Sequence, residues 1–170
     1  MNMILRFIYL LLVVSFRKKV KILDKVQTPF RVCITDLDLL MHMNNGKYFS
    51  IMDLARVDLM LRSGSAQILQ TNGIYPVVVA ETMHFRKSLK LFNTFNVETQ
   101  LLGWDEKDFY VEQQFLRNDE IYARALVKAR MLKRSGEKIT PADCLTLVGS
   151  SRTSPPLPDY LKTWLTTTEL

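Results

Sequence analysis

The run Thr35-Asp36-Leu37-Asp38-Leu39-Leu40-Met41-His42-Met43-Asn44-Asn45-Gly46-Lys47-Tyr48 gathers two carboxylates, one of the chain's two histidines and two side-chain amides. A carboxylate in such a loop can orient or deprotonate a water, or attack a carbonyl itself, if N–H donors nearby stabilise the charge that develops on oxygen. Donors of that kind are found at a helix start, where the first backbone amides lack partners and the peptide dipoles favour an anion. Asn44 and Asn45 are suited to cap such a start, and the apolar segment behind them predicts a helix from Gly46 to Arg62. The same aspartates and asparagines can also do no more than cap and turn, and the residues alone leave both readings open.

The helix carries its own constraint. Tyr48, Met52, Ala55 and Leu59 form one stripe, while Phe49, Ile51, Leu54, Val57, Met60 and Leu61 leave a narrow polar face around Lys47, Ser50 and Asp58. A helix this apolar is expected to be enclosed on most sides. Asp53 and Arg56, three apart, predict an ion pair, either partly buried or at the solvated helix edge.

Asp36, Asp38, His42, Asn44, Asn45 and Tyr48, followed by Asp53, Ala55 and Arg56, resemble the signature of the hotdog-fold acyl-CoA thioesterases of the 4-hydroxybenzoyl-CoA thioesterase type. The resemblance runs from about residue 26 to 132 and is nearest to the subgroup around thioesterase superfamily member six, which shares a hydrophobic N-terminal extension. It implies an α+β fold: a single hotdog domain, its long central helix packed against an antiparallel β-sheet, with an extra N-terminal helix. It also implies hydrolysis of a fatty or other acyl thioester to free acid and thiol. Asp38 would be nucleophile or general base, His42 would fix it, and backbone amides near Asn45 and Gly46 would polarise the carbonyl. Tyr48 and Met52 would line the acyl site, and Arg86 and Lys87 would meet the phosphates of the substrate. No cofactor is implied, since coenzyme A belongs to the substrate, and the acyl carrier is either coenzyme A or a carrier protein. A homodimer or dimer of dimers is expected. Met41 stands where many members have glycine, and its side chain is expected to narrow the pocket or alter the oxyanion geometry. The alternatives are a catalytically weak membrane-associated scaffold that binds acyl thioesters and, further off, a hotdog hydratase, whose Asp-x-Asn-Pro-x-His pattern is missing.

Around this centre, 170 residues suffice for one domain with a core. A net charge of +6 favours anionic partners without choosing among them. Met1 to Phe16 is mostly apolar, broken by Arg6, and runs into Arg17-Lys18-Lys19-Val20-Lys21. It is short for a span and lacks a small-residue cleavage site, so it reads as an interfacial helix with its basic run against anionic lipid on the cytoplasmic side, or as a helix packed on the domain. Asp24 to Thr35 alternates as a first strand, with Thr28, Phe30, Val32 and Ile34 on one face. Ala66 to Gly73 is a connector or short helix. Strands follow after Tyr75-Pro76, over 89–102, 108–116 and 121–132, the last two joined by the turn Arg117-Asn118-Asp119-Glu120. Thr140-Pro141 opens a short helix.

The chain thus divides into a hydrophobic and basic N-terminal helix over 1–23, the thioesterase domain over 24–149, and a Pro/Ser-rich linker with a short helix over 150–170. Cys33 and Cys144 are isolated, which suits a reducing, cytoplasmic compartment. Histidine and cysteine spacing predicts no metal site. The Phe85-Arg86-Lys87 cluster, with Lys90 and Phe92, is too short to predict a nucleic-acid partner, and on residues alone it can also be a solvated strand face.

Overall fold

The computed structural model describes residues 3–150 and 153–168. Its centre is helix α2, Asn45–Arg62, preceded by α1, Met3–Val14, and followed by α3, Ser65–Thr71. The strands are β1, Val26–Arg31; β2, Ile74–Phe85; β3, Thr94–Trp104; β4, Asp108–Arg117; and β5, Glu120–Lys133. Helices α4, Pro141–Leu147, and α5, Asp159–Thr168, close the chain.

All the strand pairings are antiparallel, and the order across the sheet is β1-β3-β4-β5-β2. The β4–β5 turn has Asn118 and Asp119 at φ 52° and 60°, the left-handed pair that a two-residue hairpin needs. Alternation then places Phe95 and Val97 of β3, Phe115 of β4, and Ala123, Ala125 and Val127 of β5 against Tyr48, Ile51, Met52 and Ala55 of α2. Alanines at two of the β5 positions keep that face low, so the helix beds closely on the sheet. On the opposite face α5 packs Leu161 against Leu102 and Tyr110. Where the sequence predicts a short C-terminal helix, a ten-residue helix covers the second sheet face.

Two expectations are corrected, and one strand is irregular. The first strand ends at Arg31, and Ile34–Asp36 forms a 3-10 turn, which turns Ile34 outward to 70% exposure instead of continuing the inner face. A bulge between Val78 and Ala80 interrupts β2, leaving Val79 exposed. Asp58, placed on the polar face of α2 by periodicity, is fully buried and accepts a hydrogen bond from the Thr28 hydroxyl at 2.7 Å, with Arg17 and Arg62 as ionic partners.

Helix α1 packs beside α2 and buries only Arg6 and Leu10, while Ile4, Leu5, Ile8 and Leu12 stay exposed. Among the described residues, no helix is long and apolar enough to cross a membrane.

Candidate active site

The loop between the 3-10 turn and α2 folds back on itself as a narrow ribbon. The Asp38 amide donates to the His42 carbonyl at 2.8 Å, Met41 N–H to the Asp38 carbonyl at 3.1 Å, and Asn44 N–H to the Asp36 carbonyl at 2.8 Å. Met43 N–H reaches the Leu89 carbonyl at 2.8 Å and ties the ribbon to the segment before β3. Closing so tight a loop requires a left-handed residue, and Met41 takes that role with φ 59°. Glycine would adopt that conformation without steric cost. The Met41 side chain is 61% exposed and does not line the cleft described next, so it does not narrow it as expected.

Asp38 is held by its own loop. Its Oδ1 accepts from the Leu40 amide at 2.9 Å and the His42 amide at 3.2 Å. Among the described residues no donor reaches Oδ2. The carboxylate is therefore fixed by one oxygen and available through the other. Asp36 is placed differently. It is fully buried, accepts from the Cys33 amide at 2.7 Å, and pairs with Arg6 of α1.

At the start of α2, Asn44 is the cap, its side-chain oxygen accepting from Gly46 N–H at 2.9 Å. The Gly46 amide, expected to polarise a carbonyl, is thus already committed. Asn45 N–H has no acceptor among the described residues, which leaves it as the leading free amide.

Asp38, His42, Asn45, Tyr48, Arg86 and Lys87 line one cleft of about 320 Å³. Tyr48 is 2% exposed and forms its floor, its ring edge-on to Phe85 at 5.0 Å and tilted on Phe115 at 4.8 Å. Burial pushes the Tyr48 phenol above its ordinary range, while a backbone hydrogen bond at Leu89 pulls the other way. Lys87 is paired with Glu120 at 2.5 Å on the surface, whereas Arg86 makes no ion pair among the described residues. Met52 is not with the others. It is fully buried in the core, and its carbonyl accepts from Gln113 Nε2 at 3.0 Å.

Phe85, which the sequence marks only as part of a basic and aromatic cluster, and Ser88, which it does not mark, also line the cleft, because their nearness to the Asp38 loop depends on the return of β2 across the sheet. Farther along α2, Arg56 pairs with Asp53 and donates to Gln113 Oε1 at 2.7 Å, clamping the helix to β4. A separate apolar cavity of about 200 Å³ lies at that end, between Leu59, Met60, Leu101, Phe109, Met131 and Leu145. Among the described residues, no group of three or more His, Cys, Asp or Glu side chains can hold a metal ion.

A long helix bedded on an antiparallel sheet of this order, with a polar cleft at its leading end, is a hotdog domain of the 4-hydroxybenzoyl-CoA thioesterase type. The chain belongs to the thioesterase-like superfamily, whose family model matches residues 32–165. It is 36% identical over 132 residues to Protein THEM6 of Xenopus laevis, covering 76% of this chain and 62% of that protein. With Protein THEM6 of Drosophila melanogaster it is 28% identical over 157 residues, covering 91% and 79%. Thus the chain spans less than two thirds of the length of the frog relative. A solved 4-hydroxybenzoyl CoA thioesterase mutant, complexed with 4-hydroxybenzoyl CoA, superposes with a TM-score of 0.63 at 18% identity, covering 73% of this chain and 98% of that one.

Proposed function

We propose that the protein is an acyl-CoA thioesterase in which Asp38 acts on the thioester carbonyl. The observation that carries this reading is the pairing, in one cleft, of a carboxylate pinned through Oδ1 and open at Oδ2 with the uncapped Asn45 amide. As nucleophile, Oδ2 bonds to the carbonyl carbon, the C–S bond breaks, and the thiolate leaves and is protonated by water. Water then splits the acyl-aspartyl anhydride to free acid and restores Asp38. As general base, Asp38 instead takes the proton of a water that attacks directly. Either way the carbonyl oxygen gains charge, and Asn45 N–H is the donor placed to meet it. His42 contributes through its backbone, which brackets Asp38 with one donor and one acceptor.

Arg86 offers a guanidinium with no close ion pair among the described residues to the substrate's phosphates. Lys87 can join it, because its pair with Glu120 is solvent-exposed and weak. Coenzyme A or a phosphopantetheine carrier would satisfy the same charges. The open edge of β2, with Tyr75, Val78 and Val79 exposed, fits a second copy of the chain, giving a homodimer or a dimer of dimers. The apolar outer face of α1, followed by the exposed Lys18, Lys19 and Lys21, suits peripheral contact with a cytoplasmic membrane face.

The test is thiol release from acyl-CoAs of graded chain length by native protein and by Asp38→Asn. The substitution keeps an oxygen for the Leu40 and His42 amides and is expected to lower kcat by roughly 100-fold or more. Turnover unchanged by it would remove Asp38 from the chemistry.

A further inference from the structure

A cavity of about 550 Å³, distinct from the cleft, opens between α1, β1, the start of β3 and the β4–β5 hairpin tip. Four arginines line it, Arg6, Arg17, Arg31 and Arg117, and no Asp or Glu does. Their charge is only partly answered. Arg6 is neutralised by Asp36, but Arg17 shares Asp58 with Arg62, two cations on one buried carboxylate. Arg31 lies over the Phe92 ring at 5.0 Å, and Arg117 donates Nη1 to the Tyr122 hydroxyl at 3.2 Å. Among the described residues neither of these two meets a carboxylate.

The donors are likewise unmet. Arg6 is 4% exposed, and while its Nη2 serves Asp36 and the Arg31 carbonyl, its Nη1 has no acceptor. Arg117 Nε is also buried without one, whereas Arg17 Nη1 is met by the Asp58 carboxylate, 3.0 Å away. Buried guanidinium N–H groups are costly to leave unmade, and two of them on arginines that line one space suit an anion with several oxygens. Phosphate matches the guanidinium fork bidentately. The rest of the wall sets Leu10, Phe30, Phe95 and Leu116 beside Thr28, Thr94, Asn96 and Asn118, which gives an organic body attached to the anion both apolar surface and polar partners. Tyr9, on the rim, belongs to the exposed apolar face of α1.

We propose that this arginine-lined cavity binds the phosphate group of an amphiphilic ligand. Two sources carry that chemistry: the headgroup of an anionic phospholipid, reached from the surface on which α1 would lie, and the nucleotide phosphates of coenzyme A. The site does not depend on the role given to Asp38, so it stands or falls apart from thioester hydrolysis.

The full chain is compared with Arg31→Gln/Arg117→Gln, which removes two charges from the cavity and leaves the buried Arg6 and Arg17 pairs intact. Lys107→Gln/Lys138→Gln removes two exposed charges elsewhere and is the control. Each protein is tested by co-sedimentation with phosphatidylcholine vesicles with and without phosphatidic acid, and by titration with coenzyme A and with dephospho-coenzyme A. The arginine variant is expected to bind at least one phosphate source about ten-fold more weakly or worse, with the lysine variant unchanged. Loss confined to the phosphatidic acid vesicles identifies a lipid headgroup, and loss confined to the coenzyme A titrations identifies the nucleotide. Equal binding by the arginine variant in every arm, or equal losses in the two variants, overturns the proposal.

Discussion

Arg6 Nη2 lies 2.5 Å from Asp36 Oδ2, and both side chains are almost wholly sealed from water. The pair joins the N-terminal helix to the turn that leads into the Asp38 loop. Removing one member of a buried ion pair strands the other, and here Asp36 Oδ1 already lacks a partner. Arg6→Met is therefore expected to destabilise the protein by about 3–5 kcal/mol, read as a lower urea midpoint. Adding Asp36→Asn should recover part of that, since the amide oxygen still accepts from Cys33 N–H while the stranded charge is gone.

That pair also shows where local sequence stops being informative. The bounds of α2 differ from the sequence reading by one residue, and β4 and β5 appear where alternation and the Asn118-Asp119 turn place them, because periodicity and turn chemistry are local signals. Arg6 reads locally as an interruption in an apolar run, and Asp58 as part of a solvated stripe. Both are buried because their partners come from distant segments: Asp36 for Arg6, and Thr28 and Arg17 for Asp58. The site divides similarly. Asp38, His42, Asn45 and Tyr48 share a cleft because they lie on one loop and the first turn of one helix. Met52 points into the core one turn later, and Phe85 and Ser88 arrive only through the sheet.

Met41 stores strain at φ 59°, a conformation glycine adopts freely and a long side chain does not. Its side chain is largely exposed, so little packing is lost by removing it. Met41→Gly is expected to stabilise the fold by about 1 kcal/mol, after allowing for glycine's greater freedom in the unfolded chain. The measurement is the thermal midpoint, and a lower one would mean that the methionine side chain holds the loop.

The two thiols should react very differently. Burial, aided by the nearby Asp143 charge, pushes the Cys144 thiol up to about 11 from an ordinary 9.0, whereas Cys33 is half-exposed. Titration with an aromatic disulfide at pH 8 is expected to count one fast thiol in the native protein and two in denaturant. The sign for stability follows from the proton held in the folded state. The Cys144 contribution is whole below about pH 9 and is lost as pH rises toward 11, so the alkaline decline should be shallower in Cys144→Ala.

Gly103 is where the C-terminal segment meets the sheet. A Cβ there would lie 2.5 Å from Leu157 Cδ2, 2.6 Å from Ser154 Oγ and 3.2 Å from the Pro155 carbonyl. The first two are side-chain ends that can yield, but the third is backbone, and Ser154 Oγ is held in place as the acceptor for Trp104 N–H at 2.9 Å. Gly103→Ala is therefore expected to push the 154–157 segment off β3 and loosen α5, whose Leu161 covers Leu102 and Tyr110 on the outer sheet face. The cost should be about 1–3 kcal/mol. Limited proteolysis reads the consequence directly: cleavage between Ser154 and Asp159 should accelerate in the variant while the α2 core stays protected. Unchanged proteolysis with unchanged stability would mean that the segment docks loosely enough to step aside.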